Sequence, residues 1–313
     1  MKRQILVWLL GGLAALALAW VLPAPAQLWA RATALPPLTW LIAALGMGAS
    51  YTLRALRLRD EWRHRLPVRL AECLHITLVH SAAINVLPMR AGELGFPWLL
   101  YKRWGVPVGD SAASLFWLRL QDAAVLGLLG AAVFGPDLGL APAAAFVLRG
   151  TLALALLGLI VWRGASLARA ALAAVGGPGG GGTWLARALA RVLQAVLRSH
   201  ARGWLWTLAN WLVKIAVLAL LLSGIAELPL AMAWAGALAG EGAAVLPIQP
   251  PAGFGTYEAG VWVGARLAGA TVSPSTVLGA AFTMHLFVIV FSILAAAASH
   301  GLQGTPRGQQ RTS

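Results

Sequence analysis

The sequence predicts an all-α polytopic membrane protein with about eight hydrophobic spans, built as two inverted repeats that each contain a broken or re-entrant helical hairpin. Three observations carry that prediction. Of 313 residues, 59% are hydrophobic and 11% charged, and the mean hydropathy is +0.76; a soluble domain carries about 25% charged residues. The arginines gather in two stretches between apolar runs. One motif occurs twice: Val86-Leu87-Pro88-Met89-Arg90-Ala91-Gly92-Glu93 closes one apolar run, and Val245-Leu246-Pro247-Ile248-Gln249-Pro250-Pro251-Ala252-Gly253-Phe254-Gly255, with Glu258 just beyond, closes another. Each motif is followed by a short apolar run, a glycine (Gly105, Gly269) and a helix opening on small residues (Ser111, Ser275). A duplicated Pro/Gly break in a transmembrane chain is the best sequence-level pointer to a transport site.

Taken in order, the first element is the run 4–22. Met1-Lys2-Arg3 before it and Ala24-Pro25-Ala26 after it resemble a secretory signal, but the run outlasts the usual core of about 7–15 residues, so a retained first helix is expected. Further spans fall at 37–54, 68–87, 111–134, 142–162, 204–224, 229–247 and 275–299. Shorter apolar pieces, 93–101 and 256–270, follow the two Leu-Pro motifs, and the first is too short to cross.

Orientation follows from the basic stretches. Arg54, Arg57, Arg59, Arg63, Arg65 and Arg69 form one, and Arg163, Arg169, Arg187, Arg191, Arg198 and Arg202 the other; both are expected in the cytoplasm. The segments 23–36, 135–141 and 225–228 carry little positive charge and face outward. Between cytoplasmic Arg69 and outward Pro136 the single crossing 111–134 suffices, so 68–87 with 93–101 must return to the side it left. The same parity makes 229–247 with 256–270 a hairpin opening outward. The two motif-bearing units therefore have opposite orientation. The chain divides as one integral membrane domain: repeat 1 over 37–162, a basic linker over 163–203, repeat 2 over 204–300 and a disordered tail over 301–313.

The net charge of +14 reads as topology signals and contacts with anionic lipids, not as a nucleic-acid surface. A single cysteine, Cys73, excludes an intramolecular disulfide. Fifteen tryptophans suit interfacial belts. The stretch Gly176–Thr183 is a flexible linker by composition and lacks the lysine of a phosphate loop. Trp184–His200 reads as an amphipathic helix on the cytoplasmic leaflet.

Ionisable groups at membrane depth are costly and mark candidate sites. In the first repeat these are Arg90 and Glu93 at the hairpin tip, and Arg119 and Asp122, one turn apart on one helix face. The latter two either neutralise each other between helices or line a cavity. In the second repeat they are Glu241, Glu258, Arg266 and His285, with Lys214 in the preceding helix left open. Arg149 and Arg266 are expected to snorkel to an interface. Glu72 and His75 have a metal-helix spacing but no second copy, so no metal is expected; no nucleophile–base constellation points to an enzyme, and no cofactor is implied.

Asn85-Val86-Leu87-Pro88-Met89-Arg90-Ala91-Gly92-Glu93, then Tyr101-Lys102-Arg103 before Gly105, then Arg119 with Asp122, resembles the first half of the lysylphosphatidylglycerol synthase transmembrane-region family. Pro251, Gly253, Gly255 and Glu258 match that family's second-half Pro–Gly–Gly–Glu cluster, and the likeness runs from about 40 to 300. Gln249-Pro250-Pro251 departs from the usual pattern, where Ser or Thr often precedes the Pro. The resemblance implies lipid handling in the bacterial cytoplasmic membrane, by a stand-alone member without the soluble synthase domain. The expected activity is translocation of a polar or phosphate-bearing lipid headgroup. In that reading Arg90 and Arg119 hold the phosphate. Glu93, Asp122 and Glu258 balance charge, Asn85, Glu241 and Pro251 line the path, and Gly92, Gly253 and Gly255 permit close turns. The alternative is a non-transporting subunit that presents lipid to a separate glycosyl- or aminoacyl-transferase, docked on the basic segment Arg187–Arg202.

Overall fold

The computed structural model describes residues 24–175, 183–198, 201–245 and 250–302, except the side chains of Pro88, Met89, Arg90, Pro251 and Leu302. The expected first helix over 4–22, the glycine stretch 176–182, Leu246–Gln249 and the tail from 303 lie outside the described residues. Those described form eleven α-helices and no strand: α1 Pro25–Ala34, α2 Pro37–Trp62, α3 Leu70–Val86, α4 Gly95–Trp104, α5 Val108–Phe134, α6 Pro142–Val175, α7 Trp184–Arg198, α8 Ala201–Ala226, α9 Leu230–Val245, α10 Thr256–Leu267 and α11 Pro274–Ala298. Short 3-10 turns occupy Pro88–Leu94, Pro251–Gly253 and Ser299–Leu302.

Proline punctuates the chain where a helix can use it. α1, α2 and α11 each begin with Pro in the first turn, where the missing N–H has no intrahelical partner to lose. α4 stops on Gly105 in the left-handed region, φ 70°. Among the described residues, four helices (α5, α6, α8, and α11 with its trailing turn) are long and apolar enough to cross a membrane, and a fifth span arises if α1 and α2, bent by 89°, are taken together. Of the eight expected spans, 4–22 lies outside the described residues, and α3 and α9 hold only 17 and 16 residues, about 25 Å each; α4 and α10 hold 10 and 12. None of these pieces reaches the hydrocarbon thickness of about 30 Å. α6 exposes apolar side chains around most of its circumference, among them Leu148, Leu152, Leu154 and Leu159, a surface suited to lipid.

One element order appears twice: a long helix, a short helix, a 3-10 turn, a second short helix and another long helix. It runs α2 to α5 and again α8 to α11. The packing is reciprocal. α2 lies on α8, α3 on α11, α9 on α5, and the turn Pro88–Leu94 meets the turn Pro251–Gly253. In these contacts α3 on α11 and α5 on α9 are exchanged counterparts, and α2 on α8 and turn on turn are self-paired, the pattern a two-fold relation produces.

Three boundaries differ from the sequence expectation. The basic stretch after Arg54 is not a loop: α2 continues to Trp62 and buries Arg57, Asp60 and Glu61. The segment 23–36 contains α1, and α6 runs on to Val175, past the expected linker start at 163. α7 does not lie alone on a membrane surface; it packs on α5 and α6, with Arg198 against Glu61 (3.5 Å) and Arg191 against Asp110 (3.5 Å).

The two breaks use glycine differently. A Cβ on Gly92 would run into the backbone of Ala83 and Ile84, so the turn presses directly on α3. In the second break Ala252, Gly253 and Gly255 take positive φ values of 54°, 77° and 88°, a geometry glycine adopts freely. Gly92→Ala is expected to cost about 1–3 kcal/mol through overpacking. Gly95→Ala, with nothing near its added methyl, should be nearly neutral. Thermal unfolding of the two variants in detergent checks this, and equal midpoints would refute the close approach.

Candidate functional site

The site is built on α2. Descending this helix one turn at a time come Tyr51, Arg54, Arg57 and then Asp60 and Glu61. Arg57 forks onto Asp122 of α5, with Nη1 to Oδ1 at 2.7 Å and Nη2 to Oδ2 at 3.3 Å, and also donates to Thr207 of α8 at 2.8 Å. Asp122 is 2% exposed. It further accepts from Trp211 Nε1 (3.2 Å) and from Arg119 Nη1 (3.5 Å). Arg119 in turn pairs through Nε with Glu93 of the first hairpin turn at 3.1 Å. A chain of alternating charges therefore runs from the hairpin tip to the contact between the halves.

Beside it lies a cavity of about 100 Å³ walled by α2, α3, α5, α8, α9 and α11. Arg54, Arg119 and Lys214 face it, against Asp122 and Glu241, so cations exceed carboxylates by one. Lys214 Nζ holds Glu241 at 2.6 Å. Arg54 is differently placed: it donates to Ser81 Oγ at 3.1 Å and lies 5.8 Å from the Tyr51 ring centre. Among the described residues no carboxylate stands within ion-pair distance of it. A guanidinium in a low-dielectric site with donors not committed to a carboxylate suits a phosphate.

The site residues expected from sequence fall into three groups. Asn85, Arg119, Asp122 and Glu241 line the cavity, and Asn85 also donates to Ser292 of α11 at 3.1 Å. Glu93 reaches it through Arg119. Gly92, Gly253, Gly255 and Glu258 shape the two hairpin breaks. Glu258, with no exposed surface, accepts from Gly255 N–H at 2.6 Å and pairs with His285 Nδ1 at 2.7 Å. Arg90 and Pro251 sit in the two turns, but their side chains lie outside the described residues. The expected Arg119–Asp122 pair forms, yet Arg57 is the closer partner of Asp122.

Other charges find local partners. Arg149 donates to the carbonyl of Gly135 at 2.5 Å and so closes the end of α5. Arg266 likewise donates to Ala270 O at 2.7 Å. Glu72 is held by Arg103 (3.2 Å), and His75 meets Ser299 Oγ (2.8 Å). Sequence reasoning missed Arg54, Arg57, Asn210 and Trp211. A signal existed: residues 49–66 contain neither Gly nor Pro, so nothing in the chain stops α2 before its charged turns.

Along α2–α3 and α8–α9, several polar positions of the two halves correspond at one offset. Ser50 Oγ donates to Asn210 Oδ1 at 2.7 Å, across a separation of 160 residues. The same offset carries Tyr51 to Trp211, Arg54 to Lys214 and Ser81 to Glu241. Arg54–Ser81 and Lys214–Glu241 are each 27 residues apart, and each cation lies near its own aromatic ring, 5.8 Å from Tyr51 and 5.4 Å from Trp211. Ser50 and Asn210 are counterparts that meet.

No curated protein sequence matches the chain. The family model described as lysylphosphatidylglycerol synthase TM region matches residues 7–296, which takes in both halves, both hairpin breaks and the α6–α7 connection. The chain is a multi-pass membrane protein that belongs to the lysylphosphatidylglycerol synthase transmembrane-region family.

Proposed function

We propose that this protein moves a phosphate-bearing lipid headgroup across the bacterial cytoplasmic membrane, without an enzymatic step, through the polar cavity between its two halves. The observation that carries the reading is Arg54: a guanidinium that faces a net-cationic cavity at the contact between the halves and has no carboxylate partner among the described residues. Family membership supports a lipid role. Parity supports inversion of the halves. Each pair of short helices returns to the side it left, α5 and α6 cross out and back, and α8 then starts on the side where α2 ends. The cavity of about 100 Å³ must enlarge before it admits a headgroup, since ligand sites span about 300–1,000 Å³. The ion pairs Glu93–Arg119 and Glu258–His285, which tie each hairpin to the last helix of its half, are the contacts that would part. The subunit reading draws less support, because Arg191 and Arg198 of the basic segment are engaged by Asp110 and Glu61.

The test is reconstitution into liposomes with fluorescent phospholipid on both leaflets, followed by dithionite quenching. Loss of the protected fraction is expected with anionic lipid. Arg54→Ala should slow that loss at least tenfold with normal expression and folding. Equal rates for wild type and Arg54→Ala would remove Arg54 from the path; no movement of any phospholipid would count against translocation.

A further inference from the structure

The two hairpin latches are counterparts with different chemistry. Arg119 is the twelfth residue of α5 and His285 the twelfth of α11. Each meets a glutamate of its own hairpin, Glu93 near the end of the first turn at 3.1 Å and Glu258 in the first turn of α10 at 2.7 Å. A guanidinium never releases its proton in a protein, whereas imidazole is the side chain that gains and loses one near neutrality. The first latch therefore keeps its positive charge at every pH, shared between Glu93 and Asp122. The second is neutral only when the pair binds one further proton, on the imidazole in the ion-paired form, and otherwise leaves one negative charge on Glu258 itself, which has no exposed surface.

We propose that Glu258 and His285 form a proton-binding site that couples opening of the second hairpin to a proton gradient, in a protein read as a lipid translocase. The proton adds to the imidazole, giving an imidazolium–carboxylate pair, and leaves by the reverse step; no other bond changes. A proton on the pair makes the second latch the electrostatic equal of the first, and its departure puts an uncompensated charge in an apolar setting, which favours parting of hairpin and helix.

Among the described residues no cation but His285 stands within ion-pair distance of Glu258. The rings of Tyr257 and Phe254 lie 4.6 and 5.0 Å from the His285 ring. α9 contributes Glu241, already held by Lys214 of α8 at 2.6 Å. On α3, which packs against α11, His80 stands 3.5 Å from Arg119, His75 meets Ser299, and Glu72 meets Arg103. The turn Pro88–Leu94 faces the second break with Glu93, paired to Arg119, and with Arg90, whose side chain is not described.

The experiment reads the latch apart from transport. In the full chain with Cys73→Ala, Thr256→Cys marks the second hairpin; its labelling by a membrane-impermeant maleimide is followed in proteoliposomes between pH 5.5 and 8, normalised to free cysteine. Labelling is expected to rise at least threefold toward high pH with His285, and to stay flat in His285→Arg, which copies the first latch. A flat wild-type profile, or the same profile in His285→Arg, overturns the proposal. Dithionite assays on the same vesicles under an imposed pH gradient separate the two readings: lipid movement with no response to the gradient leaves translocation standing and removes the coupling.

Discussion

Asp122→Ala is expected to prevent recovery of a folded, monodisperse protein from the membrane. Asp122 is 2% exposed and Arg57 6%, and the two share a forked contact at 2.7 and 3.3 Å. Removing the carboxylate leaves a guanidinium buried without its counter-charge, and frees Trp211 Nε1 and one arm of Arg119 as well. Breaking one side of a buried pair costs about 3–5 kcal/mol, a large share of the stability of a typical domain. Size-exclusion profiles and thermal midpoints in mild detergent provide the measurement. The companion Arg57→Met/Asp122→Ala should regain most of the loss, because both charges are then gone. A single variant that elutes and melts like wild type would mean that Arg57 finds its counter-charge elsewhere.

The second large effect is expected at Lys214. Its ammonium lies 2.6 Å from Glu241, whose side chain is 5% exposed. Lys214→Ala strands that carboxylate at the cavity wall, again at about 3–5 kcal/mol, and should be rescued in stability by Lys214→Ala/Glu241→Ala. Transport should not be rescued, because the double variant also removes a cation from the cavity. A double variant that is both stable and fully active would show that the pair serves folding alone. The corresponding pair in the first half, Arg54–Ser81, has no carboxylate to strand, so Arg54→Ala is expected to lose activity at little cost in stability.

Much of this was legible in the sequence, and the reason is chemical. Pro and Gly break helices wherever they occur, so both hairpins announce themselves in Leu87-Pro88, Gly92, Gly253 and Gly255. Arg119 and Asp122 share a helix face by spacing alone. The helix α2 was not legible past Arg54, because arginines between apolar runs count as loop signals under the topology rule. What turns Arg57 from a loop residue into a core residue is a partner 65 positions away in Asp122 and another 150 away in Thr207. Local pattern carries no trace of such partners. The same holds for α7, whose Arg198 is drawn inward by Glu61 rather than left on a lipid surface.

The hydrogen bond between Ser50 and Asn210 joins two residues that are each other's image. Suppose the conformation that faces the opposite side arises when the two halves trade shapes. Every distance between unlike positions is then exchanged for its mate's, so that Arg54–Ser81 takes on the reach of Lys214–Glu241 and the reverse. A distance between images maps onto itself. The 2.7 Å contact of Ser50 with Asn210 is thus a fixed point of the cycle: a covalent staple at that spot would leave the motion intact, while staples placed progressively farther along α2 and α8 would bring it to rest.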